Sequence, residues 1–106
     1  MLMLKPDVRI TGLRSEIILA IVIAERAYAE IGCELMLTSG IEGQHSAGSL
    51  HYTGCAVDLR TLNVPAGKLP PLVEKIRAAL GPDFDVVLES NHLHVELQPK
   101  QPLSHA

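Results

Sequence analysis

The chain has 106 residues, which is room for one compact domain and no second one. Apolar residues make up 47%, too many for a disordered chain; aromatics are only 3%, with no Trp, which argues against a stacking platform for single strands or sugars. Nine basic residues against twelve acidic ones give a net charge of -3, so the basic face that nonspecific nucleic-acid or anionic-membrane binding requires is not expected. The core of so short a chain is thin, and a bound metal would add to its stability.

Residues 1–14 read as a mixed lead-in broken by Pro6 and Gly12. Ser15 is placed to cap a helix running to about Ile31, with Ile17, Ile18, Ile21, Val22 and Ala29 near helical spacing and Gly32 as its stop. The helix is unusually apolar, which predicts that it lies against a sheet. Its apolar run, Ile17 to Ala24, is eight residues bounded by Glu16 and Glu25, far short of the ~20 that span a membrane. No basic-then-apolar export signal is read at the N-terminus, so cytoplasmic synthesis is expected. Glu34 to Thr38 reads as a strand, followed by a polar loop, Ser39 to Leu50, carrying Gly40, Gly43 and Gly48. Cys55 to Leu59 reads as a second strand and Asn63 to Pro71 as a loop. Leu72 to Leu80 reads as a helix entered through Pro70 and Pro71 and closed by Gly81 and Pro82. Phe84 to Leu88 and Leu93 to Leu97 read as strands joined in a hairpin by Glu89-Ser-Asn-His92. From Gln98 the tail, residues 98–106, reads as loose. This order predicts a single α+β domain over residues 1–106, a small antiparallel sheet with helices packed on one face. Cys33 and Cys55 fit no disulfide scaffold and no CxxC site, and read as small, half-buried apolar side chains.

Three of the five histidines fall in two short segments rich in carboxylates. In the second segment, strand alternation puts His92, His94 and Glu96 on one face and Leu93, Val95 and Leu97 on the other. Glu89 sits at the turn, free to point back over the polar face. In the first segment, His51 precedes Gly54, whose turn can fold it back toward Asp58 on the following strand. His51, Asp58 and one histidine of the second segment make two imidazoles and one carboxylate. Three protein ligands with a position left for water is the pattern of catalytic zinc, whereas a closed structural site would use four ligands, most often cysteines. Glu89 is then a candidate general base. Imidazole and carboxylate donors also accept cobalt, nickel or manganese.

Ser49-x-His51-x-x-Gly54-x-Ala56-x-Asp58, followed by His92-x-His94, resembles the zinc D-alanyl-D-alanine metallopeptidases. These are D,D-carboxypeptidases, D,D-dipeptidases and phage endolysins that cut peptidoglycan peptides. The resemblance covers roughly residues 36–97. It implies a fold of that kind, one zinc ion per chain, and His51, Asp58 and His94 as its ligands. It implies Glu89 as the catalytic base, with His92 lining the site to stabilise the oxyanion or orient water. The spacing from Glu89 to His92 also suits relatives whose base lies three residues before the ligand, so His92 as ligand stays open. Ser49 would steady the loop or touch substrate.

The chain departs from the family at one point. Relatives often carry an Arg shortly before the first ligand, which holds a substrate carboxylate or carbonyl. Here Ser39-Gly40 is followed by Ile41-Glu42-Gly43-Gln44. Gln44, His45 or Arg60 could substitute, although Arg60 reads more readily as a strand-end anchor or the partner of an acid. Tyr52 reads as packing or as a hydroxyl donor, and His105 as inert. The expected activity is zinc-dependent hydrolysis of an amide in peptidoglycan stem or cross-bridge peptides, with no nucleic-acid or membrane partner. The resemblance also implies a phage or prophage lysin released to the wall by another factor. The alternative is a catalytically weak or inactive zinc-binding module on the same scaffold that binds wall peptide or a larger assembly.

Overall fold

The computed structural model describes residues 1–41 and 53–99. Its elements are β1 (Leu2–Leu4), α1 (Ser15–Glu30), β2 (Leu35–Ser39), β3 (Ala56–Arg60), a 3-10 turn (Ala66–Lys68), α2 (Leu69–Leu80), β4 (Phe84–Leu88) and β5 (His92–Leu97). The described strands form one sheet in the order β1-β2-β3-β5-β4. The class is α+β, but the sheet is mixed rather than antiparallel. The lead-in contributes β1, which pairs parallel to β2 through Leu2–Leu35, Met3–Met36 and Leu4–Leu37. Parallel neighbours need a crossover, and α1 supplies it. The other pairings are antiparallel.

The start of α1 differs from expectation. Arg14, in extended backbone, is the N-cap and makes no side-chain cap bond, while Ser15 is already helical and its hydroxyl donates to Glu16 Oε1 at 3.3 Å. The Arg14 N–H donates to the Gly54 carbonyl at 3.0 Å, which ties the helix start to the segment entering β3. Gly32 ends the helix as expected, with a φ of +75°. The buried stripe is Ile17, Ala20, Ile21, Ala24, Ala27 and Tyr28; Ile18, Val22 and Ala29 face outward. α2 starts at Leu69, three residues earlier than expected, with the two prolines in its first turn, where a missing N–H costs nothing.

Both helices cover one face of the sheet. Leu72, Val73 and Ile76 of α2 and the stripe of α1 form one core with Leu35, Leu37, Val57, Leu59, Val86, Leu93 and Val95. Arg77 on α2 donates from Nε and Nη2 to the Val86 carbonyl at 3.2 and 2.9 Å, docking the helix onto β4. Cys33 and Cys55 are half-buried free thiols. Gln98, the first residue of the expected tail, donates from its backbone N–H to the Asp83 carbonyl at 2.6 Å and from its side chain to Glu96 at 2.7 Å, and residues 100–106 lie outside the described residues. No helix among the described residues is long and apolar enough to cross a membrane.

Tyr28 is fully buried, and its hydroxyl donates to the Arg60 carbonyl at 2.8 Å. Burial pushes its phenol far above the ordinary range, so it stays a neutral donor. Tyr28→Phe leaves that carbonyl without its donor, and denaturant unfolding should show a loss of about 1–2 kcal/mol.

Candidate metal centre on the open face of the sheet

The open face of β3 and β5 carries the chemistry because strand side chains alternate. Val57, Leu59, Leu93 and Val95 point to the helices and are buried. Asp58 and Arg60 therefore share the other face with His92, His94 and Glu96. Register then sets the partners: Asp58 lies opposite His94 and Arg60 opposite His92. Both strands are interior to the sheet, so each is held from two sides.

The Asp58 carboxylate is the hub. Its Oδ1 lies 2.9 Å from His94 Nδ1 and 3.7 Å from His92 Nε2. Two donors on one tetrahedral zinc, each about 2.0–2.1 Å from it, stand about 3.3 Å apart. The Asp58–His94 and Asp58–His92 spacings lie on either side of that value. Behind His94, its Nε2 lies 2.7 Å from Glu96 Oε1, and Glu96 Oε2 in turn accepts from Gln98 Nε2 at 2.7 Å. His92 Nδ1 meets Asn91 Oδ1 at 2.7 Å.

Glu89 stands at the hairpin, where its N–H donates to the His92 carbonyl at 2.9 Å. Alternation along β4 puts position 89 in phase with Val87, the register partner of His94, so Glu89 falls on the same face as the histidines. Its side chain is exposed. Arg60 reaches Met36 Sδ with Nη1 at 3.8 Å. It closes β3 at the strand end, and no acid partner for it is found among the described residues.

Gln44, His45, Ser49, His51, Tyr52 and His105 lie outside the described residues. The expected ligand set of His51, Asp58 and His94 is thus represented by Asp58 and His94. Among the described residues no group of three or more His, Cys, Asp or Glu is placed so that it could hold a metal ion. Two contributors escaped the sequence reading. Glu96 was assigned to the polar face but not to His94, and its signal was the His-x-Glu spacing along a strand. Asn91 was read only as a turn residue.

Gly54 has a φ of +76°, and a Cβ there would strike the Gly12 carbonyl oxygen. The motif glycine is therefore needed both for its backbone conformation and for close approach. Gly54→Ala should destabilise the fold by more than about 2 kcal/mol, read by chemical denaturation.

His94 sits between two carboxylates that both accept, so it is held as an imidazolium. Its pKa rises to about 8, first through the hydrogen bond to Asp58, opposed by desolvation and aided by Glu96. Folding raises this pKa above its model value of 6.5, so the stabilisation is whole below pH 6.5 and is lost as pH rises through about 8. Metal-free protein should show the His94 ring titrating near pH 8 by NMR. Its unfolding midpoint should fall across the same window, and His94→Gln should flatten that part of the profile.

Compared with known proteins, the chain matches no family model and no curated sequence.

Proposed function

We propose that the chain is a zinc peptidase of the D-alanyl-D-alanine metallopeptidase type, acting on amide bonds of peptidoglycan peptides. One observation carries the reading: the His94 imidazole is bracketed by Asp58 on Nδ1 and Glu96 on Nε2. A metal-bound histidine faces the ion with one nitrogen and donates from the other to an outer carboxylate, which fixes the ring and raises its basicity. Here Nδ1 faces the second candidate ligand and Nε2 the outer carboxylate. Asp58 and His94, with His51 from the Ser49–Asp58 motif, would hold the ion.

Bound there, zinc would supply Lewis acidity, making water a nucleophile near neutral pH and polarising a scissile carbonyl. The chain's own groups do the rest. Glu89, exposed at the hairpin and in phase with the histidines, accepts the water proton and passes it to the leaving amine. His92 turns toward the same centre and donates to the oxygen on which negative charge develops. No covalent intermediate with the protein is required.

Protein purified from zinc-supplemented cells should contain about one zinc per chain, and His94→Ala should lose it. Glu96→Gln should weaken zinc binding about 10–100-fold. Glu89→Gln should keep the metal and lose about 10²–10⁴-fold in the rate of peptidoglycan peptide cleavage. Wild-type protein that holds zinc but cleaves no muropeptide would point to a binding module. Protein that takes up no zinc would remove both readings.

A further inference from the structure

α1 carries a second apolar surface, on the side away from the sheet. Leu19 is 60% exposed, Val22 48% and Ile18 42%, and the three fall within about 100° of the helix circumference. Half-buried Ile23 continues the stripe toward α2. Beside it runs a groove of about 230 Å³ walled by Leu19, Ile23, Ala79, Leu80 and Phe84. The stripe thus offers both a ridge and a recess. Charged residues bound it at its two ends, Glu16 before Leu19 and Arg26 after Val22, and both are exposed. The contacts of Glu16 with the Ser15 hydroxyl at 3.3 Å and Arg14 Nε at 3.8 Å lie at the surface. A contiguous apolar patch with a polar rim marks an association surface.

We propose that this face binds a second copy of the chain, α1 against α1 and antiparallel, about a twofold axis between positions 20 and 21. A ridge and a recess on one patch make it self-complementary, as a twofold interface requires. In this register Ile18 lies opposite the partner's Ile23 and Leu19 opposite the partner's Val22, so Leu19 enters the partner's groove. The same register brings Glu16 within one residue, about 1.5 Å along the axis, of the partner's Arg26, and symmetry repeats the pair. A parallel arrangement would set Glu16 beside Glu16 and Arg26 beside Arg26. Burial of apolar surface drives the association, and the two ion pairs select its direction. A helix of 16 residues presents a face of roughly 24 by 10 Å. That is small beside the ~800 Å² per partner of a standard interface, so the dimer is expected at micromolar rather than nanomolar concentration. The candidate metal centre lies on the other face of the sheet, clear of this contact.

Sedimentation velocity on the whole chain, from about 1 μM to about 1 mM, reads the association directly. The wild type should pass from monomer to dimer across that range, and Leu19→Glu combined with Val22→Glu should stay monomeric. Glu16→Arg alone, or Arg26→Glu alone, should weaken the dimer about tenfold by placing like charges together. The double reversal, Glu16→Arg with Arg26→Glu, should return it to within about threefold of wild type. All four positions are exposed, and circular dichroism melts check that each variant folds. If Glu16→Arg fails to fold, because it removes an acid from the first turn of α1, Arg26→Glu and the double reversal decide. A wild type that is monomeric throughout overturns the proposal. So does a dimer that survives the paired glutamates, since its interface is then elsewhere, or one that the double reversal does not restore, since the helices are then not antiparallel. A monomer that instead sediments with phosphatidylcholine vesicles through Leu19 and Val22 overturns it as well and gives the face to lipid.

Discussion

The pairing of β3 with β5 is the constraint on which the rest depends. Its two faces perform different tasks, and alternation locks them together. Val57, Leu59, Leu93 and Val95 fill the core from one side, while Asp58, Arg60, His92, His94 and Glu96 stand on the other. A slip of one residue would turn the leucines and valines to water and bury two carboxylates and two imidazoles. Burial of apolar surface thus selects the register, and the register sets which polar groups meet. The contact of Asp58 with His94 is a by-product of packing Leu59 and Leu93 under the helices. The hairpin extends the same logic, since its four-residue turn brings Glu89 opposite His92 without any long-range element of its own.

Electrostatics then explains why such a face persists. An imidazole between two carboxylates is a balanced arrangement only while it carries a positive charge. In the absence of a metal a proton supplies that charge, and the raised pKa of His94 is its measure. A divalent cation on the Asp58 side would replace that proton at Nδ1 and leave the Nε2–Glu96 bond intact. The neighbours that favour the proton are therefore those that would favour the metal, and the two compete for one nitrogen. Glu96 is tied down from behind by Gln98, so the orientation of the ring is fixed through two successive hydrogen bonds.

Much of this was legible in the sequence because it lies in short-range patterns. The run from His92 to Leu97 alternates polar and apolar without a break, so strand, faces and core side all follow from it. The hairpin and the end of α2 are written in turn residues. β1 was not legible, since Leu-Met-Leu is too short to show a period and becomes a strand only by pairing with Leu35–Leu37, 33 residues away. The buried face of α1 was misjudged for a related reason. A helix apolar nearly all round has no marked stripe, and contacts with the sheet and α2 choose Ala20 and Ala24 over Ile18 and Val22. At the site, the spacing of Asp58, His92 and His94 was readable, whereas the clasp of Glu96 on His94 depends on which ring nitrogen faces which strand. The partner of Arg60 was unreadable, because a charge in a sequence does not say whether an acid will stand beside it.

Where Asp58 and His94 sit has a mechanical consequence. They are opposite positions on two interior strands, so their separation is set by backbone geometry. The end of β3 is held as well, because the Arg60 carbonyl accepts from the buried Tyr28 hydroxyl. A small domain with a thin core gains most by placing its close polar contacts on the elements it already has to hold rigid.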